Sequence, residues 1–396
     1  MHKRKTVFIL VLFLSFLIFS QIDPSNHSVD TVFAHYESSF HHRLIHSKGA
    51  WAITNGSKDI TVAVLDSGID FSHSELQNTA WENEDEISDN AIDDDGNGYV
   101  DDINGWDFVF NDSNPGPEGG DEVHWHATFI AGIIAAPLNS IGPVGVAPNV
   151  TIMDVRVLDV SNLRGTSYEG LGNAIRYAVD NGADVINLSL NYYPANDTYY
   201  DDILYAVSQN VAVVSITGNT YLPDGGQEYK SYPGGYEEVI TVGATNSSGG
   251  LADYSNFGEW TEIVAPVGSE DDITHLYSTV PFYTYNSFYG WGYGTSFACP
   301  QVAAVIALMK SYNNSMPISE MKTILQNTAT DLGDPGKDIY FGYGLLNASA
   351  ALEAMLLQQT EEPTDSSTNG TDLEYKSLFV SLIIIASTVI LLKRRK

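Results

Sequence analysis

Ser296 lies where a serine could act as a nucleophile. It follows Gly294 and Thr295, and it precedes an apolar run to Met309 that is typical of a buried helix, with Pro300 tolerated near the first turn. Unpaired N–H groups and the helix dipole at such an N-terminus stabilise the negative charge that develops during acyl transfer. Serine is also a common N-cap residue at the start of a helix, so this stretch alone does not decide between a nucleophile and an N-cap.

Two further motifs could supply an acid and a base. The run 60–65 is apolar and β-branched and ends at Asp66, which predicts a buried parallel strand with an acid at its carboxyl end, where active sites of α/β sheets lie. Asp-Ser-Gly is also common turn chemistry. His126 begins an apolar helical run, and His124 cannot share its helix face at a spacing of two, so a helical zinc pair is not expected.

Oxygen-bearing side chains alternate along 93–102. Asp93, Asp95 and Asn97 are separated by single residues, and glycines at 96 and 98 allow a tight loop. Calcium takes six to eight oxygen ligands, and the carbonyl of Tyr99 could add one as the seventh position does in an EF-hand. We therefore expect a calcium loop without the flanking EF-hand helices; the alternative is a solvated acidic turn.

The elements that must position these residues alternate between strand and helix. Residues 167–181 have helical spacing that ends at Gly182. Around this helix, β-rich runs occur at 150–158, 185–190, 211–215 and 239–243. This alternation predicts an α/β fold with a mostly parallel sheet between helices.

Composition narrows the class of protein. The 396 residues include 18 basic and 50 acidic side chains, and the net charge of −32 argues against nucleic acid as a partner. Cys299 is the only cysteine, so no internal disulfide is possible. We interpret it as a buried structural residue, with a thiol nucleophile as the alternative. We expect a monomer.

Both ends of the chain carry export and membrane signals. Residues 1–20 have the pattern of a signal peptide, with an uncleaved anchor as the alternative, and 21–45 form a short polar leader. Residues 358–374 are typical of a flexible stalk. Residues 375–392 are predicted to form a transmembrane helix rather than a buried core helix, and the basic tail 393–396 places the C-terminus in the cytoplasm. Several Asn-X-Ser/Thr triplets permit glycosylation on an exported face, including those at Asn55, Asn111, Asn149, Asn196, Asn246 and Asn369.

Five motifs in register resemble those of the subtilases, the subtilisin-like serine proteases. They are Asp66-Ser-Gly-Ile, His126-Ala-Thr-Phe-Ile-Ala-Gly, Gly145-Val-Ala-Pro148, Gly218-Asn219 and Gly294-Thr-Ser-Phe-Ala-Cys-Pro. The resemblance implies a subtilisin-like peptidase domain at 46–357 with a three-layer α/β/α architecture.

The resemblance also assigns roles. Asp66 would orient His126, the general base and acid, and Ser296 would be the nucleophile. Asn219 would donate to the oxyanion. A peptide substrate would bind as an extended strand beside Gly165, Ser189, Leu190 and Gly218. The calcium loop would use Asp93, Asp95, Asn97, Tyr99, Asp101 and Asp102, and a weaker second calcium site would use Glu75, Asn139, Ile141 and Pro143.

The chain departs from the family pattern at several positions. Ala127 replaces a glycine that lets helix and substrate approach closely, and Phe129 replaces a second histidine. His124 competes as the base, but only His126 keeps register with the rest of the motif. Asn191 occupies a position where the family commonly has a glycine, which leaves space in the pocket that binds the substrate residue before the scissile bond. The leader is too short to hold the family's inhibitory propeptide domain, so the protein is expected to fold without one. Bound calcium would then supply the missing stability, because a ligand that binds only the native state stabilises it.

Three hypotheses follow. The first is an outward-facing, membrane-tethered, calcium-stabilised serine endopeptidase. The second is a non-catalytic relative that binds peptides or surface proteins in the same groove, because the histidine motif is altered. The third is a chiefly structural, calcium-loaded surface protein.

Overall fold

The computed structural model describes residues 39–117, 124–159, 164–192, 197–220, 226–269, 274–282 and 286–361. The predicted signal peptide, transmembrane helix and basic tail lie outside these residues, as do most of the leader and stalk. Within the described ranges, no helix is both long and apolar enough to cross a bilayer.

A seven-stranded parallel sheet forms the centre of the molecule. The strands of the molecule are β1 Thr61–Asp66, β2 Gly105–Asp107, β3 Thr151–Arg156, β4 Leu158–Asp159, β5 Arg164–Gly165, β6 Val185–Leu188, β7 Ala212–Ile216, β8 Ile240–Thr245, β9 Ile263–Pro266, β10 Leu276–Thr279 and β11 Tyr289–Gly292. The central sheet has the spatial order β2-β3-β1-β6-β7-β8-β9, and all its strands pair in parallel. Two small antiparallel hairpins, β4–β5 and β10–β11, form separate two-stranded sheets.

Helices cover both faces of this sheet. They are α1 Phe40–Leu44, α2 Ser47–Trp51, α3 Trp125–Ala135, α4 Tyr168–Asp180, α5 Tyr200–Ser208, α6 Cys299–Tyr312, α7 Ile318–Thr328 and α8 Ala348–Glu361. One hydrophobic core contains α3 and α6, and a second, on the opposite face, contains α4 and α5. The predicted three-layer α/β/α architecture is therefore confirmed.

Burial explains why these segments take these forms. All six residues of β1 are buried, as expected of a parallel strand covered on both faces. Helix α6 is buried from Cys299 to Lys310, and all but Gln301 and Lys310 of these residues are apolar, so the helix is not amphipathic. Helix α4 begins where the Ser167 hydroxyl accepts a hydrogen bond from Gly170 N at 3.0 Å and ends before Gly182, whose φ is +84°.

The sheet order determines where a site can form. Strand β1 lies between β3 and β6, and β7 follows β6. The carboxyl ends of β1, β6 and β7 therefore meet at one edge of the sheet, and the next residues along the chain include Ser189 and Asn219. Strands β2 and β9 and both hairpins were not predicted from sequence.

A buried histidine in α1 makes stability depend on pH. His42 is fully buried, with Nδ1 2.9 Å from Ser47 Oγ and Nε2 2.8 Å from the Val144 carbonyl oxygen. Burial lowers the pKa of His42 from 6.5 to about 4, although the hydrogen bond to Val144 opposes this shift. Because the folded pKa is depressed, the contribution of neutral His42 is complete above pH 6.5 and is lost as the pH falls toward 4.

We expect wild-type protein to lose up to about 3 kcal/mol of unfolding free energy over this pH window through His42 alone. His42→Gln, which cannot take up the proton, should have a shallower acid slope in urea unfolding. His46→Gln is the control, because His46 is exposed. Equal slopes for wild type and His42→Gln would contradict the prediction.

Candidate active site

Asp66 and His126 form the central contact of the site. Asp66 is the last residue of β1 and is fully buried, and His126 lies in the first turn of α3. His126 Nδ1 is 2.9 Å from Asp66 Oδ1 and 3.0 Å from Oδ2. Ser67 N also donates to Asp66 Oδ1, at 2.7 Å. A carboxylate in this position fixes the ring so that Nδ1 carries a proton and Nε2 can act as a base.

Ser296 lies in a short 3₁₀ turn, Thr295–Phe297, directly before α6. Its hydroxyl donates to the Ser189 carbonyl oxygen at 3.4 Å, and no side chain caps α6. The N-cap interpretation of this serine therefore has no hydrogen bond to support it. The next residue, Phe297, has its ring centroid 5.3 Å from that of His126, so the turn that holds Ser296 packs against the imidazole.

Asn219 is held by the same turn. Its Oδ1 accepts hydrogen bonds from Thr295 N at 2.8 Å and from Thr295 Oγ1 at 2.9 Å. A backbone N–H can only donate, so the amide atom facing it must be the oxygen. The Nδ2 donors of Asn219 consequently point away from Thr295, which leaves them suited to an oxyanion next to Ser296.

The predicted substrate-binding residues lie on two segments. Gly165 is exposed in β5, which pairs antiparallel with β4. Ser189 and Leu190 are buried just beyond β6, and Ser189 Oγ donates to the Ser296 carbonyl oxygen at 2.8 Å. Gly218 precedes Asn219 with φ +93°, a conformation that favours glycine. Asn191 follows Leu190 and is half-buried.

The altered histidine motif turns inward, into the core. Ala127 and Phe129 are both fully buried, so the added methyl group packs in the core rather than toward a substrate. The Phe129 ring lies 4.5 Å from that of Phe297 and 5.4 Å from that of Trp125. Together with His126 these rings form an aromatic cluster that supports the imidazole. His124 is buried, and within the described part of the chain its Nδ1 has no hydrogen-bond partner.

Cys299 lies at the start of α6 and is fully buried. Burial raises the pKa of its thiol far above the ordinary value, so the thiolate required of a nucleophile is disfavoured. This supports a structural role for the cysteine.

The acidic loop gathers three carboxylates. Ligand oxygens of Glu86, Asp95 and Asp102 lie within 4.8 Å of one another. Asn83 Nδ2 bridges Asp95 at 3.0 Å and Asp102 at 2.9 Å. Burial raises the pKa of Asp102, and hydrogen bonds from Tyr177 and Asn83 only partly oppose this. Oxygen donors crowded in this way are chemically suited to a hard cation such as calcium, which would offset both the burial and the mutual repulsion.

The predicted calcium ligands coincide only in part with this cluster: Glu86 was not among them, and Asp93 and Asp101 lie outside it. Asp93 accepts hydrogen bonds from Asn97 N at 3.0 Å and Gly98 N at 2.9 Å. Asp101 likewise accepts from backbone N–H groups of the loop. Glu86 stands seven residues before the alternating run, and only the folding of the loop brings it back.

The Tyr99 side chain and the residues of the second predicted calcium site contact other protein groups. Tyr99 packs against Trp106 with ring centroids 5.1 Å apart. Glu75 is buried and accepts from Asn139 Nδ2 at 2.9 Å, while Asn139 Oδ1 accepts from Ile141 N at 2.7 Å. Burial raises the pKa of Glu75. Pro143 follows in the same turn and is buried.

Comparison with known proteins gives consistent similarities. The sequence profile of the Subtilase family matches residues 57–344. The chain is 34% identical over 304 residues to the thermophilic serine proteinase of Bacillus sp. strain AK1, covering 76% of this chain and 64% of that protein, or just under two thirds of its length. It is 33% identical over 310 residues to thermitase of Thermoactinomyces vulgaris, covering 78% of this chain and 94% of that protein. A lanthipeptide protease crystal structure is similar with a TM-score of 0.64 and 28% identity, covering 81% of this chain and 95% of the other.

Proposed function

This chain belongs to the subtilase family, and on that premise we propose that it is a serine endopeptidase, stabilised by calcium and tethered to the outer face of a membrane. The observation that carries the catalytic part is the hydrogen bond from His126 Nδ1 to buried Asp66, beside the turn that holds Ser296. A paired imidazole next to a serine at a helix N-terminus is the arrangement that acyl transfer needs.

The residues divide the proton transfers between them. His126 Nε2 takes the proton of Ser296 Oγ as the oxygen attacks the peptide carbonyl, and Asp66 stabilises the imidazolium that forms. His126 then gives this proton to the leaving amine, so that the acyl-enzyme remains on Ser296. Water, activated by the same imidazole, hydrolyses the ester. For attack, the Ser296 hydroxyl must exchange its hydrogen bond to the Ser189 carbonyl oxygen for one to His126 Nε2.

The developing oxyanion would meet two donors, Ser296 N–H at the head of α6 and Nδ2 of Asn219. The acyl half of the substrate would pair as an extended strand with backbone near Gly165 and Ser189–Leu190. Ser189 contacts the nucleophile segment directly, because its hydroxyl donates to the Ser296 carbonyl oxygen at 2.8 Å.

Calcium would be held by Glu86, Asp95 and Asp102, with Asn97 close by. Asn97 Nδ2 donates to Asp95 at 2.9 Å and to Asp102 at 3.2 Å, so its amide lies against the carboxylates. Bound calcium would supply charge neutralisation and cross-link the acidic loop to the domain. A ligand that binds only the native state stabilises it in proportion to RT ln(1 + [L]/Kd).

We expect chelation to lower the melting temperature of the wild-type chain by roughly 5–10 °C, the equivalent of a ligand at about 100 times its Kd. A Glu86→Gln/Asp95→Asn variant should melt at the same temperature with and without chelator. Asp93→Asn is the matched control, because Asp93 lies in the same loop but outside the cluster. If chelation leaves the melting temperature of the wild-type protein unchanged, the calcium site is refuted.

The tether and topology rest on the sequence beyond residue 361. The apolar stretch 378–392 and the basic tail predict a single span with the catalytic domain outside the cell. Protease added to intact cells should digest the catalytic domain and spare the C-terminal tail, and the reverse pattern would overturn this orientation.

Active-site labelling tests the catalytic proposal. A fluorophosphonate probe should label the wild-type chain in calcium, and Ser296→Ala should abolish the label. The second candidate is a non-catalytic peptide-binding subtilase, which the altered histidine motif favours. A correctly folded wild type that never labels would exclude the catalytic function and leave the peptide-binding and the structural hypotheses. Peptide binding then separates these two, because only the first of them predicts it.

A further inference from the structure

Strand β3 carries two charged residues in the interior of the sheet. Its residues from 152 to 156 are buried, and Asp154 and Arg156 are the only charged ones among them. Neither residue has any exposed surface. A parallel strand that is covered on both faces is usually a continuous apolar segment, because burial of a polar or charged group costs free energy unless the group is paired. The contacts of these two side chains therefore indicate what they do.

Arg156 pairs with an acid on the neighbouring strand β2. In the sheet it lies opposite Asp66 of β1 on one side and opposite Asp107 of β2 on the other. Its Nη1 atom is 3.1 Å from Asp107 Oδ2, and both side chains are fully buried. Arg156 and Asp107 therefore form a buried salt bridge, one strand away from Asp66.

Asp154 makes a different contact, with the loop that follows β1. Its Oδ2 accepts a hydrogen bond from Ile69 N at 2.7 Å, across a sequence separation of 85 residues. Within the described part of the chain, this is the only hydrogen bond of the Asp154 side chain, because Oδ1 has no partner. Ile69 comes shortly after Asp66 and is almost fully buried, so its N–H group depends on this acceptor.

The same loop is hydrogen-bonded to α3. Ala127 N donates to Ser67 Oγ at 3.3 Å. Asp70 N donates to Thr128 Oγ1 at 3.0 Å. Both α3 residues directly follow His126. The loop therefore joins the end of β1 to the helix that carries the imidazole, and its middle is held on β3.

We propose that Asp154 is a positioning residue for the Asp66–His126 pair, because it fixes the loop between the catalytic acid and the helix of the base. This inference rests on the proposed function for the roles of these two residues. Without its acceptor, the buried Ile69 N–H would need another partner, and the loop would have to move to find one. Such a movement would shift α3 against β1, and displacements of about 1 Å between catalytic groups can lower a rate about 10²-fold.

The acceptor role does not require a charge on Asp154. Burial raises the pKa of this carboxyl well above its ordinary value. The Ile69 hydrogen bond and the Arg156 guanidinium oppose that rise in pKa, whereas Asp107 and Asp66 add to it. A neutral carboxyl still has a carbonyl oxygen that can accept from Ile69 N, and the side-chain amide of asparagine offers the same oxygen. Asparagine should therefore replace Asp154, and an apolar side chain should not.

Steady-state kinetics of full-length variants on a peptide p-nitroanilide test the inference. Asp154→Leu keeps a branched side chain but removes the acceptor, and we expect its kcat to fall about 10²-fold while KM changes by less than about twofold. Asp154→Asn should keep kcat within about threefold of the wild type. The rate of fluorophosphonate labelling should fall with kcat in Asp154→Leu, because labelling also requires His126 to take the proton of Ser296.

Two further variants keep the result interpretable. Asp154→Ala removes the acceptor without adding volume, and it should lower kcat in the same way if Asp154→Leu does not fold. Asp184→Leu is the matched control, because Asp184 Oδ2 accepts from Thr61 N at 3.0 Å, at the end of β1 that is remote from Asp66. Burial raises the pKa of Asp184 as well. Asp184→Leu should lower the melting temperature and keep wild-type kcat.

Wild-type kcat in folded Asp154→Leu or Asp154→Ala overturns the inference. It is equally overturned if Asp154→Asn loses as much activity as Asp154→Leu, because the acceptor is then not the cause, or if the loss appears in KM. If neither apolar variant folds, Asp154 is required for folding and the inference is again overturned. Failure of the proposed function is a separate result, because it is read from fluorophosphonate labelling of the wild type.

Discussion

Replacing Asp66 with asparagine is expected to lower kcat about 10⁴-fold while KM changes little. The size is that of losing this acid in other Ser-His-Asp proteases, subtilisin among them. The physical reason is local to this site: Asp66 accepts from His126 Nδ1 at 2.9 Å, and an amide there can donate to Nδ1 and leave the proton on Nε2. His126 would then present a protonated Nε2 to Ser296 and could not accept the proton of the hydroxyl.

Steady-state kinetics on a peptide p-nitroanilide measure this effect. Asp70→Asn is the matched control, because Asp70 follows on the same loop but bonds Ser72 N at 3.0 Å and not the imidazole. We expect Asp70→Asn to keep wild-type kcat. If Asp66→Asn did the same, the contact with His126 would have no catalytic role.

Asn219→Ala is expected to lower kcat by about 10²–10³, again with KM nearly unchanged. That range is the measured loss for the equivalent donor in subtilisin. In this chain, two hydrogen bonds from Thr295 fix the amide oxygen, so the donor is preorganised and acts only when the oxyanion forms. The effect should therefore fall on the transition state and not on substrate binding.

The alternative for Asn219 is a turn residue that merely holds the strand end. Asn181→Ala separates the two, because Asn181 donates to the Tyr177 carbonyl oxygen at 3.0 Å at the end of α4 and lies in no proposed site. A structural asparagine should cost stability without changing kcat. An Asn219→Ala enzyme with lowered melting temperature and normal kcat would assign Asn219 to that class.

The positions of the sheet strands were predicted from the sequence more accurately than the structure of the loops around them. β1, β3, β6, β7 and β8 coincide with predicted β-rich runs to within a few residues, because strands buried on both faces are continuous apolar segments. The β10–β11 hairpin was not predicted, because glycine alternates with aromatic residues in β11 and the apolar-polar alternation expected of a strand is missing. β2 is only three residues long, too short for any period to appear.

The site was predictable where chemistry is encoded locally. Motifs identified Asp66 and His126, which the fold brings into contact over 60 residues of sequence separation. They could not include Glu86 in the predicted calcium loop, since its proximity to Asp95 and Asp102 depends on how the loop folds back. Nor could they show that Ala127 faces the core, because the direction of its side chain depends on how α3 packs against β10.

The all-parallel sheet also bears on how long an active molecule lasts. β1 pairs with β3 and β6, so Val62 must find Ile152 and Val185, which are far away along the chain. Such non-local order makes folding slow, and contacts that form only after the rate-limiting step slow the reverse reaction as well. When cleavage of an opened chain outpaces its reclosing, survival in the presence of a protease follows the rate of opening and not the equilibrium population of the open form. Under that condition, the strand order sets the lifetime of the folded molecule through the unfolding rate.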